Sequence, residues 1–178
     1  MTIRFKAILA AASFAAAVLS GCSAGSEPET VRYSLISGVS ASSLSSPYKI
    51  KVSLFGDLKD GGLAVRTSDV TVRPAVHHVW SGGLDSQLEV LIAGAMHDAG
   101  VGSDVSVEAS VYKFEGSLGG ATAIEAVIAA SRAGKAIFRQ GFSYSGHQLK
   151  QGYAPMAEDL EKGFRGIAAQ AASLMAGR

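Results

Sequence analysis

Residues 7–18 form an unbroken run of apolar and small side chains, with Ser13 its one hydroxyl and no charge. The run is twelve residues long, and a helix that spans a membrane needs about 20. Arg4 and Lys6 precede it, and Leu19-Ser20-Gly21-Cys22 closes it. Basic residues, a short apolar stretch and small residues at its end make a secretory leader, not a transmembrane anchor. That removes residues 1–21 from the fold. Cys22 is the only cysteine in the 178 residues. An internal disulfide framework and a cysteine-based zinc site are therefore excluded. The chain beyond Cys22 has to stand on a hydrophobic core, within one domain of ordinary size.

Leu19-Ser20-Gly21-Cys22 resembles the lipobox of bacterial lipoproteins: an aliphatic residue, two small ones, then cysteine. The spacing has a chemical reason. Small residues fit the cleft of the signal peptidase, and the thiol accepts a diacylglyceryl group before cleavage. Cys22 is then the mature N-terminus, lipidated with covalent diacylglycerol and an N-acyl chain such as palmitate. Each chain contributes about 0.8 kcal/mol per buried CH₂, and two or more make anchoring stable. The alternative is an ordinary secretory leader with a cysteine there by chance. Ser23, not aspartate, follows the cysteine, which in enteric bacteria favours the outer membrane over the inner one. Removing Arg4 and Lys6 leaves 14 basic against 15 acidic residues. No basic cluster stands out, so a nucleic acid partner is not expected. Aromatic residues at 7% also argue against a base-stacking platform.

The rest reads as a tether, residues 22–30, and a single α+β domain, residues 31–178. Residues 23–30 are polar and carry Gly25 and Pro28 without periodicity. A short strand is expected over 31–36, then a serine-rich loop over 37–47. Residues 48–55 alternate, with Ile50, Val52 and Leu54 on one face and Lys49, Lys51 and Ser53 on the other. Residues 57–62 have turn chemistry. Residues 63–67 and 70–73 flank Ser68-Asp69 as a tight hairpin, and 75–80 continue extended. The period then changes. Leu84, Leu88, Leu91, Ile92, Ala95, Met96 and Ala99 share one helical face, and Gly100 and Gly102 stop that helix.

Alternation resumes at Val105, Val107, Ala109 and Val111. A loop over 116–120 leads to strands over 121–131 and 135–145. Pro155 marks the first turn of a second helix, with Met156, Leu160, Phe164, Ile167, Ala171 and Leu174 as its stripe. Short connections in this half predict neighbouring antiparallel strands. The expected architecture is a mainly antiparallel sheet with two long amphipathic helices packed on one face.

No catalytic constellation emerges. His77 and His78 are adjacent, so on a strand they face opposite sides and cannot readily share a metal. His97 and His147 lie in separate elements. There is no GxSxG elbow, and the Gly-Gly pairs at 61–62, 82–83 and 119–120 fit no phosphate-binding pattern. The one tryptophan, Trp80, is either a packing residue where strand becomes helix or an interface anchor, since tryptophan is enriched in binding hot spots.

Tyr33-Ser34-Leu35, Val65-Arg66-Thr67-Ser68-Asp69, and His77-His78-Val79-Trp80 before Leu84 come after the lipobox in a telling order. This order resembles the ABC-type transport auxiliary lipoproteins, the PqiC/YmbA-like family. There a "YYLL"-type strand follows the lipidated tether, and a "VTR"-type hairpin leads to a "HRWAEPL"-type segment that opens the first helix. Two departures stand out. Residues 54–63 lack the prolines common in that family, and Ser81-Gly82-Gly83 replaces the acidic-proline step. The resemblance covers nearly all of the mature chain.

It implies a non-enzymatic, lipid-anchored accessory of an intermembrane lipid transport system. Such systems join an inner-membrane ABC permease to MCE-type proteins that shield lipid across the periplasm. The lipoprotein would dock the machinery at the periplasmic face of the outer membrane. Partners are then the MCE-domain and permease components, the membrane itself, and further copies of the chain. No cofactor beyond the acyl chains on Cys22 is implied. The expected partner interface is the segment 77–84 with the hairpin at 66–69, through Arg66, His78 and Trp80. Two other readings stay open: an outer-membrane assembly lipoprotein that binds or plugs a β-barrel, and a lipid-anchored hydrolase.

Overall fold

The computed structural model describes residues 28–38 and 46–177. The leader, Cys22 and most of the expected tether lie outside them. The elements are β1 (Val31–Tyr33), β2 (Lys49–Leu54), a 3-10 turn (Gly56–Asp60), β3 (Gly62–Ser68), β4 (Thr71–Trp80) and α1 (Leu84–Asp98). After them come β5 (Val105–Ser117), β6 (Ala121–Arg132), β7 (Lys135–His147) and α2 (Tyr153–Ala176). All seven strands form one sheet in the order β1-β4-β3-β5-β6-β7, with β2 also paired to β5. The fold is α+β, with a mostly antiparallel sheet.

The long antiparallel run is β5-β6-β7, two tight hairpins with one register shift in each, and β3 with β4 makes a further antiparallel pair. Val107, Ala109 and Val111 of β5 sit opposite Ala130, Ile128 and Ala126 of β6 and share a face with them. All six are buried, because α1 and α2 cover that face. Phe138 and Phe142 of β7 lie on the same side, opposite Ala130 and Ala126. From α2, Leu160, Phe164, Ile167, Ala168 and Ala171 meet them. Phe114 stands edge-on to Phe164, with centroids 6.2 Å apart, and to Trp80 at 5.7 Å. These three rings join helix, central strand and β4 into one core.

A polar clamp sets how closely α2 approaches the sheet. Asp159 of α2 accepts hydrogen bonds from the Thr122 hydroxyl and from the Tyr144 hydroxyl, the latter at 3.0 Å. Burial, reinforced by this carboxylate, holds the Tyr144 phenol above its usual range. Directly beneath, the Tyr144 ring fills the space where a side chain at Gly163 would begin. Only glycine lets the helix sit this low.

Several boundaries differ from those the sequence predicts. β4 is one strand, not two pieces broken at Pro74. β1 pairs only with His78, Val79 and Trp80, so Pro74 lies on an open edge where its missing N–H costs little. The β3–β4 turn is Asp69-Val70, since Ser68 still pairs with Thr71. β5 runs to Ser117, and α2 begins at Tyr153, before Pro155. At its far end Leu174 is exposed and Met175 takes the core position. The sheet also carries three parallel pairings, β1–β4, β2–β5 and β3–β5.

Phe164 is fully buried. Phe164→Ala is expected to cost about 3–5 kcal/mol, a large share of the about 5–15 kcal/mol typical of a domain. Chemical denaturation checks this; an unchanged midpoint would remove Phe164 from the core.

Candidate functional site

The three residues expected at a partner interface occupy different settings. Trp80 is 3% exposed. It packs edge-on to Phe114, and its backbone N–H donates to the Gly61 carbonyl at 2.9 Å. Its side chain is thus part of the core and not offered at the surface. The alternation of β4 explains the placement: Trp80 ends the strand pointing into the helix-covered face, where α1 begins four residues later.

His78 points to the same side two residues earlier, but at the rim. Its ring stacks on Tyr153, the first residue of α2, with centroids 3.7 Å apart and planes at 15°. Its Nδ1 shares a 2.9 Å hydrogen bond with the Tyr33 hydroxyl. Burial, with Tyr153 beside it, raises the Tyr33 phenol above its ordinary value. The imidazole therefore joins β1, β4 and α2 at one point.

Arg66 lies on the opposite face of the sheet. Its Nε donates to Glu115 Oε1 at 2.7 Å, and its Nη1 donates to the Asp69 carbonyl at 2.9 Å. One guanidinium thus ties the parallel β3–β5 pair and also closes the β3–β4 turn. Glu115 is buried on β5, and its hydrogen bond and charge push Arg66 further up from its already high value. The three residues do not converge: Arg66 faces away from the helices, while His78 and Trp80 face toward them. Cys22, the expected lipidation site, lies outside the described residues.

Sequence reasoning missed three polar residues that matter as much. Glu115 is one. Gln87 of α1 is another: it is buried, its Oε1 accepts from the Leu35 N–H at 2.7 Å, and its Nε2 donates to the Ser81 carbonyl at 3.2 Å. The third is Asp159. A glutamine on the apolar stripe of α1 is the only available signal, since Gln87 sits three residues after Leu84 and four before Leu91.

Between α1 and α2 runs an open groove of about 810 Å³. Gly94 and Ala95 form one wall and Ala169 and Ser173 the other, with Asp98 and Arg165 as charged groups. Arg165 is itself engaged, donating to Glu161 at 2.8 Å and to the Leu35 carbonyl at 3.3 Å. Among the described residues no three His, Cys, Asp or Glu side chains gather as a metal ion requires.

Residues 50–172 match the family described as the ABC-type transport auxiliary lipoprotein component. A crystal structure of an uncharacterized protein superimposes with a TM-score of 0.68 at 24% identity, over 81% of this chain and 97% of that one. A Xanthomonas campestris protein of the DUF330 family gives 0.62 at 17% identity, over 73% and 85%. At these identities the likeness shows a shared fold. Among curated proteins, none matches the sequence.

Two substitutions test the placements. Trp80→Ala is expected to cost about 3–5 kcal/mol, as for other large buried side chains; an intact thermal transition would return Trp80 to the surface. Arg66→Ala leaves the Glu115 carboxylate buried without its partner. It is expected to lower the melting temperature, and Glu115→Gln added to it should recover part of the loss. No recovery in the double variant would mean that Arg66 acts through the turn alone.

Proposed function

The chain belongs to the ABC-type transport auxiliary lipoprotein family, and we propose that it is the lipid-anchored, non-enzymatic accessory of an intermembrane lipid transport system. In this reading Cys22 carries diacylglycerol and an N-acyl chain, and the domain stands on the periplasmic face of the outer membrane. There it docks MCE-type and permease components. The family match is the observation that carries the reading, joined to the lipobox that the sequence places 28 residues before the match begins.

Physical features support it. No helix among the described residues is long and apolar enough to cross a membrane, and the acyl chains on Cys22 would supply the attachment. The polar side chains that could suggest chemistry are engaged in holding elements together: Arg66 with Glu115, Gln87 with residues 35 and 81, Asp159 with Thr122 and Tyr144. The role left for the domain is to bind proteins.

Cys22→Ser should leave an uncleaved precursor or an unacylated protein, read by intact-mass spectrometry. Acylation persisting in that variant sinks the anchor. Crosslinking in cells followed by mass spectrometry should recover MCE-type and permease proteins. Recovery of a β-barrel in their place would favour an assembly role, and turnover of esters, phosphoesters or peptides by the pure protein would overturn the non-enzymatic reading.

A further inference from the structure

Among the described residues the four most exposed large hydrophobic side chains are Leu149, Val70, Val76 and Leu118, at 100%, 93%, 80% and 71%. Exposed aliphatics scattered singly over a surface need no explanation. These are not scattered, because strand pairing gathers three of them at one end of the sheet. Arg66 of β3 lies opposite Ser117 of β5. The β3–β4 turn, with Val70, and the β5–β6 turn, with Leu118, therefore leave the sheet side by side. Ala121 lies opposite His147, so the segment leading to Leu149 starts beside the same turn. The Gln148 N–H donates to the Gly120 carbonyl at 2.9 Å and holds it there. Neighbouring loops at one end of the sheet thus each present one largely exposed aliphatic.

The direction of the N-terminal chain points the same way. β1 runs parallel to β4, with Val31 opposite His78. β4 itself starts at this end of the sheet, at Thr71. Chain that precedes Val31 leaves β1 toward the loops carrying Val70, Leu118 and Leu149. From His78 back to Thr71 is at most about 23 Å at the rise of a strand, and the irregular pairing of β4 near Gly62 shortens it. Residues 22–30 can span at most about 30 Å, enough to bring Cys22 level with those loops. Val76 lies on the open edge of β4 along that path. The opposite end of the sheet, where Arg132 pairs with Lys135, lies the other way from the direction in which the chain enters β1.

We infer that this end of the sheet rests on a phospholipid bilayer, with Val70, Leu118 and Leu149 entering the headgroup region. The inference rests on the anchor proposed for Cys22 and adds a fixed orientation to it. Burying an apolar side chain is favourable in proportion to its area, and these three are free to be buried because the fold does not use them. None would suffice alone. The tether makes their contact with lipid intramolecular, so weak individual gains add at high effective concentration. Lys150, exposed next to Leu149, suits a lipid phosphate. Asp69 next to Val70 is an opposing charge, and the Arg66 guanidinium, which donates to the Asp69 carbonyl, lies close enough to offset part of it.

The test uses the full acylated protein in vesicles of phosphatidylethanolamine and phosphatidylglycerol. Val70→Cys, Leu118→Cys, Leu149→Cys and, as control, Lys135→Cys are each labelled with a polarity-sensitive nitrobenzoxadiazole dye. Cys22 does not react when it is acylated, so one label enters each variant. The three loop labels should shift to the blue on vesicles and be quenched severalfold less by aqueous iodide than the label at position 135. If all four stay equally open to iodide while the protein remains on the vesicles, the orientation is overturned and the anchor stands. If the loop labels become shielded only when partner proteins are added, the surface is a protein-docking site and the inference is wrong. Dye on Cys22 of the otherwise unaltered mature chain would overturn the anchor, and with it the orientation.

Discussion

The bulge in β5 between Val111 and Lys113 decides which residues are inside. Before it, odd positions face the helices: Val105, Val107, Ala109 and Val111 are buried there. After it, Phe114 takes that face, against Trp80 and Phe164, and Gly116 lies under Met156 of α2. The phase of the strand has shifted by one residue. Without the shift Phe114 would point away from the core and Glu115 into it, because a single-residue slip turns every side chain over. The bulge also lies where β5 changes partners. β2 pairs with residues up to Val111, and β3 takes over from Glu115. The Phe55 N–H donates to the Val111 carbonyl at 3.1 Å, and the Phe55 ring stacks on Tyr112 at 4.7 Å. One irregularity thus seats the aromatic core and turns Glu115 toward Arg66.

The N-terminal segment depends on a second set of contacts. β1 is three residues long, too short to hold by strand pairing alone. Side chains from elsewhere do the holding. Tyr33 is hydrogen-bonded to His78, and its carbonyl accepts from the Ser81 N–H at 2.7 Å. The Leu35 backbone is gripped at both its groups, the N–H by Gln87 and the carbonyl by Arg165. Force applied through a membrane tether would enter the domain here. It would be shared among β4, α1 and α2 before reaching the core.

How much of this a sequence can show depends on the range of the interaction involved. The alternation of 105–111 and the 3.6-residue stripes of both helices are local, and they correctly mark which faces are buried. The β5-β6-β7 hairpins follow from their short connections. The parallel pairing of β2 with β5 has no local signature, because more than fifty residues separate Lys49 from Ser106. The bulge is equally silent: Tyr112-Lys113-Phe114 reads as continued alternation in a strand. Pro74 suggests a break that the open edge of β4 makes unnecessary. Leu174 fits the stripe of its helix, yet Met175 fills the space. As for the candidate site, of the two roles open to Trp80 the structure shows the packing one. Trp80 and His78 stand in the family motifs as residues that join β4 to the helices.

The polar ties between distant elements have a common physical cause. A polar group taken out of water costs stability unless it is matched inside the fold. Arg66, Glu115, Gln87, Asp159 and Arg165 are matched in this way, each joining elements distant in sequence. The surface features left over are of another kind: the small-residue groove between the helices, and the aliphatic tips beyond the strand ends. Both offer open surface for contact with something large. In the orientation inferred above, the aliphatic tips meet lipid while the groove between the helices stays open to a protein partner.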